Sequence, residues 1–237
     1  REDCHSWRPP RRDHHALVAP ARAVRRRRPR HRDRRGAPAR RLRRPLRLAH
    51  PRSAPARAAR PDAIFAFYPG GAGIQFVTQY ALSGLKAQIP LYTAFTIDEL
   101  TLPLQKENAL GVPGAQEWVN DLPNEQNKKF VAGYEAEYKA VPATYAFQSY
   151  DAALLIDGAL KLTKGSTADK KALQAALMKA NFKSLRGGFK FNTNHYPIQD
   201  FYLTKVAKRA DGKFQTEIVK KVFSNDADKH AKDCPMK

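Results

Sequence analysis

The stretch Pro61–Gly73, PDAIFAFYPGGAG, constrains this chain more than any other. Ile64–Tyr68 is a short apolar and aromatic run, and Pro69-Gly70-Gly71 ends it abruptly. Helical spacing begins at once, with Ile74, Val77, Ala81 and Leu85 on one face and Gly84 marking the stop. A buried strand, a glycine-rich turn and an amphipathic helix open a βα unit of an α/β domain. In such domains ligands sit beyond the carboxyl ends of strands, beside helix N-termini. Tyr68 and the backbone amides of Gly70–Gly73 occupy that place.

The pattern continues in kind. Ile89–Phe95 reads as a second apolar strand. Thr96–Leu104 reads as a helix, with Thr96 as N-cap and with Asp98 and Glu99 in the first turn, where the helix dipole favours acids. Pro103 shortens or kinks it. Gly111–Val119 resembles a third strand, interrupted by Pro113 and Gly114. Asn124–Tyr138 reads as a helix, with Phe130, Tyr134 and Tyr138 in one row, and Pro142 breaks it. Thr144–Leu162 is the longest helix, and its run from Tyr150 to Leu160 is apolar on most faces, which predicts burial between layers. Ser166-x-x-Asp169 has the form of a capping box ahead of Leu173, Ala176 and Leu177. Phe189–Phe191 and Tyr202–Val206 read as strands, and Ala210–Lys213 as a hairpin turn into Phe214–Phe223. The order is βαβαβ, then three helices, then a β-rich tail.

Composition divides the chain. Residues 1–60 hold 21 Arg, no Lys and four acids, while the remainder holds 2 Arg, 20 Lys and 18 acids. The formal charge of +21 is therefore a property of the first quarter. That quarter is too poor in apolar residues to offset chain entropy, which predicts disorder. Two readings compete for it. One is a basic arm for nucleic acid or an anionic surface, held by phosphate contacts that weaken with salt. The other is an out-of-frame read of GC-rich DNA, favoured by the change from Arg to Lys near Ala58–Pro61. The expected organisation is an Arg/Pro-rich leader over 1–57 and a globular part over 58–237. The first Met is Met178, so a fragment or a mid-frame start is expected. No run approaches the roughly 18 apolar residues of a membrane span, and no signal peptide is visible. Cys4 and Cys234 fall in the two different texts and are not expected to pair.

Catalysis finds no positive support. There is no G-x-S-x-G, no H-E-x-x-H and no phosphate loop, and Gly70-Gly71-Ala72-Gly73 does not continue as G-x-G-x-x-G. His195 has no paired nucleophile and reads as a turn histidine beside Pro197. The histidines and cysteines have no metal-ligand spacing, so neither metal nor cofactor is expected. Binding is better supported. Tyr68, Tyr92, Phe95, Phe147 and Tyr150 fall at strand ends or helix starts, which suits a ligand with an apolar body and one polar end. The competing reading is plain core or rim packing.

PDAIFAFYPGGAGIQFVTQYALSGLKAQIPLY, then GVPGAQEWVNDLPNEQNKKFVAGYEAEY, then TYAFQSYDAALLIDGAL, resembles the second half of a periplasmic solute-binding protein. The type is that of branched-chain amino-acid ABC transporters, the type I, Leu/Ile/Val-binding-protein-like group, over residues 58–237. The resemblance implies an α/β fold, here incomplete: parallel-sheet lobes with flanking helices, preceded by the disordered Arg-rich leader. It implies a monomer of two lobes that close on a small carboxylate, an amino acid or an aromatic acid, and present it to a membrane permease. No reaction, cofactor or specific nucleic acid is implied, and the family's location is periplasmic. The family's aromatic wall falls on Tyr68. The acid that holds an ammonium in amino-acid binders falls near Thr93, which cannot pair with it as a charge, so an aromatic or apolar carboxylate fits better. Phe95 accompanies that strand end, and an aromatic at the start of the long helix falls on Phe147 or Tyr150. The helices over Asn124–Ala180 would then lack the strands that they cover, exposing Leu154, Leu155 and Ile156. Incomplete folding or aggregation and weak binding are expected.

Overall fold

The structure, a computed structural model, describes residues 61–233. The leader over 1–57, Cys4 and Cys234 lie outside the described residues. β1 (Ile64–Ala66) leads through Gly70 into α1 (Gly71–Leu82), and β2 (Leu91–Ala94) follows. Next come α2 (Leu102–Gln105), β3 (Pro113–Gln116), α3 (Glu125–Tyr138), α4 (Thr144–Leu162) and α5 (Lys170–Met178). β4 (Lys190–Phe191), β5 (Pro197–Lys208) and β6 (Phe214–Asp226) close the order.

β1, β2 and β3 are parallel neighbours, and each connection between them is a crossover that carries a helix. β5 then pairs antiparallel with β3, β4 and β6, so the six-stranded sheet is mixed. β5 joins two cores. Its Val206 packs with Ile64, Val77, Leu85, Leu91 and Leu102 under α1 and α2. Its Tyr202 packs with Trp118, Phe130, Phe147 and Leu185 under α3 and α4.

Local chemistry sets the boundaries. Asn124 caps α3 by accepting from the Asn127 N–H at 2.9 Å, and its own amide donates to the Leu185 carbonyl. The segment before α3 is pinned by fully buried Asn127, which accepts from the Trp118 indole at 2.8 Å and donates to the carbonyls of Asn120 and Leu122.

Three expectations need correction. α2 does not begin at Thr96. Asp98 turns the backbone instead, its Oδ1 accepting from the N–H groups of Leu100 and Thr101, and Pro103 fits the first turn of a helix that starts at Leu102. α5 is capped by Asp169, which accepts from Lys171 and Ala172, and not by Ser166. α4 is not buried between layers over Tyr150–Leu160. Asp151, Gly158 and Ala159 are buried, Leu154 and Leu155 are half-buried, and Ile156 is 52% exposed. Only one face of α4 meets the rest of the described residues, through Phe147 on the second core and Gly158 against Asn181.

Candidate functional site

The carboxyl ends of β1 and β2 are tied together by Thr96. Its Oγ1 accepts from the Tyr68 N–H at 2.9 Å and sits within donating distance of the Ala66 and Ala94 carbonyls. α1 starts hard against this knot. A Cβ on Gly73 would lie 2.1 Å from the Tyr68 carbonyl oxygen and 2.8 Å from that of Thr96, so only glycine lets the helix approach. Gly70, at φ 68°, makes the turn, and no side chain caps the first N–H groups of α1.

A concavity of about 230 Å³ opens beside this junction. Pro69 and Gly70 form one side, Phe95, Asp98, Leu100 and Thr101 the second, and Thr144 and Tyr145 of the first turn of α4 the third. It therefore lies at the strand ends, where an α/β sheet offers its ligand crevice. Phe95 holds a left-handed backbone, φ 49°, unusual for an aromatic residue, and its ring stands edge-on to Phe67 at 6.3 Å. Backbone held in such a region accompanies binding and active sites more often than ordinary loops.

The expected site residues separate in space. Phe95 borders the concavity. Tyr68 is half-buried and packs on Phe76 at 5.1 Å, beside the first core. Thr93 is buried within the sheet, its hydroxyl donating to the Pro113 carbonyl. Phe147 is fully buried and stacks on Trp118 at 4.8 Å. Tyr150 is 44% exposed and leans on Phe130 at 4.9 Å. Tyr92 is exposed on the outer face of β2. Asp98, Thr101, Thr144 and Tyr145 line the concavity without having been read as site residues. In the sequence Asp98 shows only as an acid shortly after a strand end, beside Glu99, where a carboxylate pair is possible but a helix-dipole partner is the expected reading. His195 sits in the turn after β4 at φ 63°, its N–H donating to the Asn192 carbonyl.

Glu99 anchors the stretch that carries Asp98, Leu100 and Thr101. It is buried, and its Oε1 accepts from the Thr216 N–H at 2.8 Å, the Thr216 hydroxyl at 2.7 Å and the Asn120 amide at 2.8 Å. Oε2 is buried without a partner. Burial pushes the carboxyl up to about 7, against the Thr216 hydrogen bonds that favour the ion, and neighbouring Asp98 adds to the rise. No cluster of potential metal ligands occurs among the described residues.

A model of the periplasmic binding protein family matches residues 53–213. No curated protein matches the chain. Among solved structures, the chain is similar to an ABC transporter solute-binding protein from R. palustris in complex with benzoate. That likeness has 32% identity and a TM-score of 0.70, and covers 77% of this chain and 49% of that one. A solute-binding protein from Rhodopseudomonas palustris BisB5 in complex with 3,4-dihydroxy benzoic acid is 33% identical at a TM-score of 0.67, over 74% of this chain and 48% of that one. A leucine-binding protein from Thermotoga maritima shares the fold at 21% identity and a TM-score of 0.58, over 70% and 46% of the two chains. The chain thus spans about half the length of the solved relatives that it matches.

Proposed function

The chain belongs to the periplasmic binding protein family, and from that premise we propose that it supplies one wall of the ligand cleft in a solute-binding component of an ABC importer. The ligand is a small carboxylate with an aromatic body. The observation that carries this reading is the concavity at the ends of β1 and β2, faced by the first turn of α4 and walled by Phe95, Leu100 and Tyr145. An aromatic ring fits between such walls, and the uncapped N-terminus of α1 beyond Gly70 offers N–H groups and the positive end of a helix dipole to a carboxylate. Relatives held with benzoate and with 3,4-dihydroxybenzoate support the ligand class. The role is capture and presentation to a membrane permease outside the cytoplasm, with no chemistry on the ligand. Closure follows from tighter binding to the closed than to the open arrangement of lobes. Phe95 is the site residue that we carry forward. Tyr68, Thr93, Phe147 and Tyr150 lie outside the lining of the concavity.

The test is thermal unfolding of the full chain with and without benzoate and a panel of aliphatic and aromatic carboxylates. A ligand that binds only the folded state raises the midpoint as its concentration passes the dissociation constant. We expect benzoate and its relatives to raise it, in the millimolar range. No rise with any carboxylate overturns the reading. A salt-sensitive rise with DNA alone would replace it with a polyanion-binding role for the leader.

A further inference from the structure

Asp98, Leu100 and Thr101 line the concavity, and the residue among them that does not is Glu99. Glu99 is 5% exposed, and its carboxyl joins this segment to two others. Its Oε1 accepts from the N–H and the hydroxyl of Thr216 on β6 and from the Asn120 amide ahead of α3. Its Oε2 is buried without a partner. The lining segment is itself one tight turn. Asp98 Oδ1 accepts from the N–H groups of Leu100 and Thr101, and the Thr101 hydroxyl accepts from the Asp98 N–H at 3.1 Å. A movement of Glu99 is therefore passed to the lining residues on both sides of it.

We infer that Glu99 is a positioning residue for ligand binding: with its proton it holds Asp98, Leu100 and Thr101 in the wall of the concavity, and without it that wall is released. The inference rests on the carboxylate-binding reading and adds a control on that site. The two states of the carboxyl are not equivalent. Protonated on Oε2, it is neutral, and Oε1 still accepts all three hydrogen bonds. Ionised, it places a buried charge on an oxygen that no group bonds. A buried charge without a partner costs far more than a buried neutral group. Reaching water relieves it, and that movement takes Asp98 and Leu100 along. Burial pushes the carboxyl up to about 7, so the change falls near neutral pH. A bound carboxylate adds negative charge beside this segment, so binding and protonation favour each other, equally in both directions. The neighbouring titratable groups are acids. Asp98 adds to the rise. Asp121, next to Asn120, accepts from the Ile218 N–H at 3.1 Å and is also raised by burial. Glu117 follows β3 and accepts from the Gln148 amide, and Glu217 stands next to Thr216 on β6. Lys220 and Lys221 of β6 are exposed, and α2, which packs on β6, has no titratable residue.

Ligand-observed NMR titrations of the full chain with benzoate, from about pH 5.5 to 8.5, test this. Benzoate stays ionised throughout, because carboxyls titrate near about pH 4. The titrations are run on the native sequence, on Glu99→Gln and on Thr216→Val, with melting curves at each pH. Glutamine keeps the Oε1 acceptor and is neutral at every pH. Valine removes one hydrogen bond that favours the ion, so it raises the Glu99 carboxyl further. Native affinity is expected to fall about tenfold or more across the range, as the fraction of chains with an intact wall falls. Glu99→Gln is expected to hold the native low-pH affinity to within about twofold at every pH. Thr216→Val is expected to move the midpoint of the fall to higher pH. A flat native profile overturns the inference and leaves the carboxylate reading standing. So does a fall that persists in Glu99→Gln, which would assign it to Asp121 or another acid. A Glu99→Gln chain that melts cooperatively yet has lost benzoate at every pH makes Glu99 a packing residue and overturns it too. If Glu99→Gln does not fold, an unmoved midpoint in Thr216→Val overturns it. If benzoate binds the native chain at no pH, the carboxylate reading fails and the inference with it.

Discussion

Glu99 carries the sharpest single-residue consequence. Its carboxyl is buried with one oxygen triply bonded and the other bare, and it is pushed up to about 7 from an ordinary 4.5. Between those values the folded chain keeps a proton that the unfolded chain has released. Stability therefore falls as pH rises from about 4.5 to about 7 and levels off above, by an amount on the order of 3 kcal/mol from this group alone. Glu99→Gln is expected to remove that slope, read as unfolding midpoints in denaturant from pH 4.5 to 8. An unchanged slope would show that another group carries it. Phe95 gives a second test. Its left-handed backbone favours glycine, so Phe95→Gly relieves strain while removing an aromatic wall. Stability is expected to change by less than about 1 kcal/mol while affinity for aromatic acids drops about tenfold or more. Equal losses in both would make Phe95 a packing residue. At this scale the sequence was only partly legible. Phe95 was visible as an aromatic at a strand end, but Asp98 and Thr144 gain meaning only where the first turn of α4, over forty positions along the chain, meets the end of β2.

At the scale of elements, the βα unit at the start of the globular part positions the site, and Gly73 is its tightest point. A methyl there would overlap backbone oxygens of both Tyr68 and Thr96, neither of which can swing aside as a side chain would. Gly73→Ala is expected to cost about 2–3 kcal/mol and to shift α1 away from the strand ends, lowering ligand affinity as well. Chemical denaturation and the benzoate titration measure the two effects. A neutral outcome would mean that α1 is not held where the structure places it. Element existence was well read from sequence, because spacing and capping are local. Thr144–Leu162 and the helix through Tyr138 follow from apolar periodicity and from Asn124 and Pro142. α2 was misread because Thr96, a good cap by type, spends its hydroxyl on joining two strand ends. That use depends on a residue 28 positions away, Tyr68.

At the scale of the whole molecule, the two faces of β1 and β2 are treated differently. Ile64, Ala66 and Leu91 are buried in the first core. Phe65 and Phe67, on the opposite face, are 63% and 58% exposed, and Tyr92, the register partner of Phe65, is 46% exposed. A contiguous aromatic face of this kind marks an interface or an aggregation liability. The relatives are about twice as long as the matched region, so half of their structure has no counterpart in this alignment. We expect the full chain to self-associate with rising concentration through this face. Phe65→Ser combined with Phe67→Ser should stay monodisperse at higher concentration without lowering the melting midpoint, as sedimentation velocity and thermal scans would show. A double variant that associates as the native chain does would place the sticky surface elsewhere.

The amino-acid sequence by itself determined the α/β class, the strand–glycine turn–helix opening, most helix spans and the family, because each is written in short-range periodicity or in ordered blocks of residues. Tertiary structure alone decided which side chains share the crevice. It placed Tyr68, Thr93, Phe147 and Tyr150 in or against packed layers, and set Asp98 and Thr144 beside Phe95. The physical reason is that a binding site is a long-range contact set. Which face of a strand or helix turns toward the cleft depends on what β5 and the two cores bury on the other side, and no local pattern records that choice.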